Sequence, residues 1–110
     1  MTDKKPGMQV RGSTTGRPIM VLFDVLGQRW TLRIIWELRT GRMTFRELRS
    51  HCDEISPTIL NQRLKTLREL GLVNHEEGGY GYTEMGAELA KKLGRFDKWA
   101  ENWAKTLDMP

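Results

Sequence analysis

The chain has one cysteine and two histidines in 110 residues. Cys52 has no partner for an internal disulfide, and with His51 and His75 it still falls short of the ligand set of a tetrahedral structural zinc site. A disulfide-stapled secreted scaffold and a zinc finger are excluded, and no metal or cofactor is expected. Long apolar runs are equally scarce. The longest, Ile19 to Phe23, is far below the roughly 18 residues of a membrane-spanning helix, and no apolar signal core follows Met1 to Gly7. The expectation is a soluble, cytoplasmic protein without a membrane partner. Catalytic motifs are missing too: there is no Gly-x-Ser-x-Gly elbow, no His-Glu-x-x-His pair, no phosphate loop and no Gly-x-Gly-x-x-Gly after a strand. No paired carboxylate orients either histidine, so an enzyme is not expected.

What is present suits one domain with one core: 38% of the residues are hydrophobic and 29% charged. Eighteen Lys and Arg against 14 Asp and Glu give a net charge of +4, which permits a polyanionic partner without demanding one. The excess is uneven. Residues 1–42 carry 8 basic and 3 acidic side chains, residues 43–71 carry 5 and 4, and residues 72–110 carry 5 and 7. Glycines, Pro6 and the Ser13-Thr14-Thr15 run make residues 1–16 a flexible basic arm that cannot bury a core. Its Lys4, Lys5 and Arg11, with Arg17, would supply non-specific attraction to a polyanion.

Residues 17–107 read as a single domain. Pro18 suits the first turn of a short apolar helix closed by Gly27. From Arg29 to Thr40, apolar residues occupy most of the circumference of a second helix, which predicts cover on two sides. Thr44 and Glu47 form a capping box for a third helix over Phe45–His51, with Phe45 and Leu48 inward. Ser56 followed by Pro57 opens a fourth, to about Leu70, which Gly71 ends. Two short strands, Leu72–His75 and Tyr80–Thr83, bracket Glu76-Glu77-Gly78-Gly79 as a hairpin. Thr83 then caps a last helix to about Leu107, whose Leu89, Leu93, Phe96, Ala100, Trp103 and Leu107 form a coiled-coil-like seam flanked by Trp99. At about 1.5 Å per residue that helix spans about 36 Å, more than one small domain can cover.

Two short helices across a tight turn, followed by a hairpin, is the order of parts in a winged helix-turn-helix. The fold expected is mainly α with a small β-hairpin: a recognition helix at about 57–70, a wing at about 72–83, and additional dimerisation helices at the amino terminus and at about 84–107. The fourth helix carries Leu60, Leu64 and Leu67 on one stripe, and no core needs its opposite face. There Asn61 and Gln62 suit adenine edges and Lys65 suits guanine or phosphate. Ser56, Pro57 and Thr58 at the helix start and Arg46 on the preceding helix suit backbone phosphates. A plain solvated helix face is the blander reading of the same stripe.

The chain also resembles a family. Gly27-Gln28-Arg29-Trp30-Thr31-Leu32, Met43 to Leu48, Ile55-Ser56-Pro57 running on to Leu67, Gly71-Leu72-Val73 and Tyr82 to Gly86 follow one another as in HxlR-type transcriptional regulators, relatives of the MarR group. The resemblance covers roughly Val21 to Trp103. It implies a prokaryotic winged-helix repressor or activator that binds operator DNA as a homodimer, with dimer contacts from the first and last helices. On that basis Phe23, Leu89, Leu93, Phe96, Trp99, Ala100, Trp103 and Leu107 are the expected interface. Several members sense electrophiles or oxidants through a cysteine near the amino terminus, and the stretch around Arg17-Pro18 has none. The wing carries Glu76 and Glu77 where relatives often place basic residues, which leaves His75 and Tyr80 for a backbone contact.

Two sharper readings remain. Cys52 beside His51, near the expected DNA surface, would be a redox switch if the imidazole lowered the thiol pKa. Trp30, Trp36, Trp99 and Trp103 would line a pocket for a small-molecule effector, although aromatic residues at helical spacing are more often core or interface. The function expected is a sequence-specific double-stranded DNA-binding regulator. The alternatives are a protein-interaction winged helix and an ungated architectural DNA binder.

Overall fold

Pro18 begins the first helix where a missing N–H breaks no bond, and Gly27 closes it, giving α1 at Pro18–Leu26. This is a computed structural model that describes residues 16–107, so the expected arm lies outside the described residues except for Gly16. The elements that follow are α2 (Thr31–Glu37), α3 (Phe45–His51), α4 (Pro57–Glu69), β1 (Val73–Glu76), β2 (Gly79–Tyr82) and α5 (Glu84–Thr106). The architecture is mainly helical with one antiparallel hairpin, as expected.

The helix starts follow the caps read from the sequence. Thr44 Oγ1 accepts from the Glu47 amide at 3.1 Å, and the Glu47 carboxylate accepts from the Thr44 amide at 2.8 Å. Those bonds, the backbone one foremost, hold the Glu47 carboxyl below its ordinary pKa. Ser56 Oγ accepts from Ile59 N at the start of α4. Thr83 Oγ1 accepts from Gly86 N and donates to Gly71 O, so one hydroxyl joins the end of the α4 turn to the start of α5.

The second helix departs from the expectation. It begins at Thr31 rather than Arg29, because Trp30 turns the chain with a left-handed φ of 79°. It ends in a 3-10 turn at Leu38–Thr40, a tightened last turn before Gly41. Nor is it covered on two sides. Ile34, Ile35 and Leu38 are buried, whereas Leu32 and Trp36 remain 47% and 37% exposed. One face of α2 packs inside this chain and the other is left apolar and open.

The hairpin is tighter than expected. Glu76 pairs with Gly79, so the loop shortens to Glu77-Gly78; His75 pairs with Tyr80 and Val73 with Tyr82. The linker before α3 joins the sheet through Met43, which exchanges both backbone bonds with Tyr80 at 3.0 and 2.7 Å. Leu48, Leu60, Leu64, Leu67, Ile34 and Leu38 form a buried core with Met43, Ile55, Val73 and Tyr80, and Leu89, Ala90 and Leu93 of α5 pack against it. Truncating one of these fully buried leucines to alanine typically costs about 2–5 kcal/mol. Gly86 allows the last close approach: a Cβ there would lie 1.8 Å from Leu72 O.

Candidate nucleic-acid interface

The core stripe of α4 fixes which way its other side points. Leu60, Leu64 and Leu67 are buried, and Thr58, Asn61, Gln62, Lys65 and Glu69 are exposed on the opposite face, with Ser56 and Pro57 exposed at its start. The helix amino terminus, the amides and the lysine therefore share one open surface. Thr66, also on α4, is buried and donates to Gln62 O.

Two clefts extend this face. Arg46, exposed on α3, shares one with Pro57, Arg49 and Glu54. On the other flank Lys65, Arg68, Glu69, Asn74 and His75 line a cleft between α4 and β1. The structure thus brings Arg46 beside the start of α4 and His75 beside Lys65. His75 is exposed, and its ring stacks on Tyr80 at 4.3 Å. Tyr80 is only 9% exposed and belongs to the core, which corrects the expectation that it would reach a DNA backbone. Its backbone joins the hairpin to Met43, and its ring stacks against that of His75.

Not every arginine near this surface is available. Arg63 Nε donates to Arg29 O at 2.8 Å and ties α4 to the turn before α2. Arg49 Nε donates to Ile55 O at 2.7 Å inside the α3–α4 turn. Arg42 donates to Gly79 O at 2.9 Å and pairs with Glu76 at 3.0 Å, so the hairpin is less acidic than its own residues suggest. Arg42 was not legible as a wing residue, because 34 positions separate it from Glu76. Arg68 was missed too, although its spacing of three from Lys65 along α4 was a usable signal.

Cys52 is fully buried in the core, and burial pushes its thiol up to about 11. This corrects the redox expectation: a thiol so placed is protonated at neutral pH and shielded from oxidants. His51 instead approaches Glu37, with Nδ1 3.5 Å from a carboxylate oxygen.

The expected interface residues divide along α5. Leu89 and Leu93 face the core, whereas Phe96 and Trp99 are 64% and 62% exposed, with Ala100, Trp103 and Leu107 exposed beyond them. Trp99 and Trp103 stack on each other at 5.9 Å. Phe23 on α1, also exposed, lines with Leu26, Leu32, Trp36, Leu93 and Phe96 an apolar groove of about 570 Å³ between α1, α2 and α5. Trp30 packs against the core, so the four tryptophans do not line one pocket.

Helices α2, α3 and α4 followed by a paired hairpin define a winged helix-turn-helix protein, the architecture in which the third helix of the unit is offered to DNA. More particularly, the chain belongs to the HxlR-like helix-turn-helix family, whose model matches residues 25–108. It is 32% identical over 87 residues to the uncharacterized HTH-type transcriptional regulator YvaP of Bacillus subtilis, covering 73% of this chain and 81% of that protein. Among solved structures it is similar to quinone-bound YodB of B. subtilis, with TM-score 0.70, 31% identity and coverage of 76% of this chain and 96% of that one. A MarR-family regulator from Enterococcus faecalis aligns with TM-score 0.71 and 26% identity over 82% of this chain and 88% of that one. The family is one of DNA-binding transcriptional regulators rather than enzymes. Among the described residues, no helix is long and apolar enough to cross a membrane.

Proposed function

We propose that this chain is a sequence-specific regulator that binds double-stranded DNA as a homodimer, with α4 in the major groove. The observation that carries the reading is the exposed amide pair Asn61 and Gln62 on α4, set between clefts holding Arg46 on one side and Lys65, Arg68 and His75 on the other. Amides discriminate base edges and flanking cations position the helix on phosphate, which is the division of labour that sequence-specific binding requires. The cations of residues 1–17 add non-specific attraction. The homodimer follows from the apolar surface that one copy leaves open: Phe23, Phe96, Trp99, Trp103 and Leu107 are each about half exposed or more. Such a surface on a regulator of this size suits a second copy.

The test is fluorescence anisotropy on a duplex recovered by selection and on a random duplex of equal length, across a salt series. Affinity for both should fall as salt rises, because phosphate contacts release counterions. Gln62→Ala should cost about 1–3 kcal/mol on the selected duplex and less on the random one. Equal losses on both would contradict base reading, and salt-independent binding would contradict the DNA interface altogether.

A further inference from the structure

The turn between α3 and α4 is strained in a way the sequence did not announce. Asp53 and Glu54 are successive non-glycine residues with φ of 57° each, and they lead through Ile55 and Ser56 into α4. Two adjacent left-handed residues persist only where the surroundings over-determine them. Several bonds do so from within the motif: the Glu54 amide donates to Arg49 O at 3.0 Å, the Ile55 amide to Cys52 O at 3.1 Å, and Arg49 to Ile55 O, while Cys52 and Ile55 are buried. A further set comes from α2. Arg33 Nη2 donates to His51 O at 2.7 Å, Nη1 to Asp53 Oδ2 at 3.2 Å, and Nε to Glu37 Oε2 at 2.8 Å.

We infer that Arg33 is a positioning residue for the recognition helix: from α2 its guanidinium fork holds the left-handed Asp53-Glu54 turn that aims α4. Its effect on DNA rests on the function proposed above; its effect on the turn does not. The ion pairs themselves are too exposed to matter much as stability. Geometry is the point. Glu37, mostly buried, fixes the guanidinium at Nε, and the two remaining nitrogens then meet a carbonyl at the end of α3 and a carboxylate in the turn. The planar fork spreads its donors over three nitrogens and so reaches acceptors on α2, at the end of α3 and in the turn at once, whereas the three N–H groups of an ammonium radiate from a single nitrogen. Arg33 also borders the groove between α1, α2 and α5, so one side chain touches both the proposed dimer surface and the recognition turn.

The experiment compares Arg33→Leu, Arg33→Lys and the double variant Arg33→Leu with Glu54→Gly, by anisotropy on selected and random duplexes and by amide hydrogen exchange on the free proteins. Leucine keeps helix propensity and an apolar stem while deleting the fork. Arg33→Leu should lose about tenfold in affinity for the selected duplex and less than about twofold for the random one, with faster exchange at Glu54 and Ile55. Arg33→Lys should not restore binding. Glu54→Gly should recover affinity to within about threefold, because glycine takes a positive φ without strain. Wild-type binding and exchange by Arg33→Leu, full rescue by lysine, or no rescue by glycine would each overturn the inference. If Arg33→Leu alone does not fold, recovery of the fold by Glu54→Gly supports the clamp and its absence contradicts it. If the wild-type chain prefers no duplex, the DNA reading fails, and exchange at Glu54 and Ile55 still decides the clamp.

Discussion

Cys52 follows the last residue of α3 and is fully buried in the core formed with Ile34, Leu48 and Ile55. Its place beside His51 suggested an activated thiol, yet the side chain points into the core and burial dominates its chemistry, raising the pKa from 9.0 to about 11. Adjacency in a turn gives no direction, because helical periodicity stops at His51. The consequence for pH follows from the sign of the shift. The thiol stays neutral in the folded chain up to about 11 while the unfolded chain ionises above 9.0, so this contribution to stability is intact below 9.0 and is lost as pH rises toward 11. We expect the native protein at pH 8 to resist a thiol-specific chromogenic reagent that labels the denatured chain at once. Rapid labelling of the folded protein, or loss of DNA affinity on mild oxidation that Cys52→Ser abolishes, would restore the switch. Tyr80 is a second case: it was a candidate for a backbone contact because the wing has few other polar groups, and its burial among core residues distant in sequence decides otherwise.

Elements whose ends carry their own chemistry were legible. The Thr44–Glu47 box, Ser56-Pro57 and Thr83 each satisfy local backbone donors, so α3, α4 and α5 begin where the sequence says. The polar face of α4 was legible as well, since three buried leucines at helical spacing fix its opposite. The start of α2 was not, because the left-handed Trp30 depends on how the chain turns back from α1, which no local cap records. The seam of α5 was read as one feature and is two: Leu89 and Leu93 serve the core of this chain, and the residues from Phe96 onward extend past it. A heptad-like spacing cannot say where one partner ends and another begins. If the second half meets another copy, Phe96→Glu should weaken association by at least about 2 kcal/mol in sedimentation equilibrium while leaving helix content nearly unchanged. A wild-type chain that is monomeric at all concentrations tested would contradict the interface.

At the scale of the whole molecule, shape and charge act together. α5 is a rod of 23 residues, about 34 Å long at the helical rise, in a body whose largest extent is 41 Å. Its uncovered end and the groove beside α1 leave apolar side chains of α1, α2 and α5 open at the surface. The positive charge is partly spent inside the protein: Arg33, Arg42, Arg49 and Arg63 bond backbone carbonyls. Net charge was therefore a weaker guide to the partner than the arrangement of Arg46, Asn61, Gln62, Lys65 and Arg68. The most direct test of that arrangement, and of the dimer with it, is selection of bound duplexes from a random pool. Enriched sequences should carry two related half-sites in dyad symmetry, their centres about 34 Å apart along the duplex. Enrichment of no sequence, or of a single unpaired half-site, would contradict that expectation.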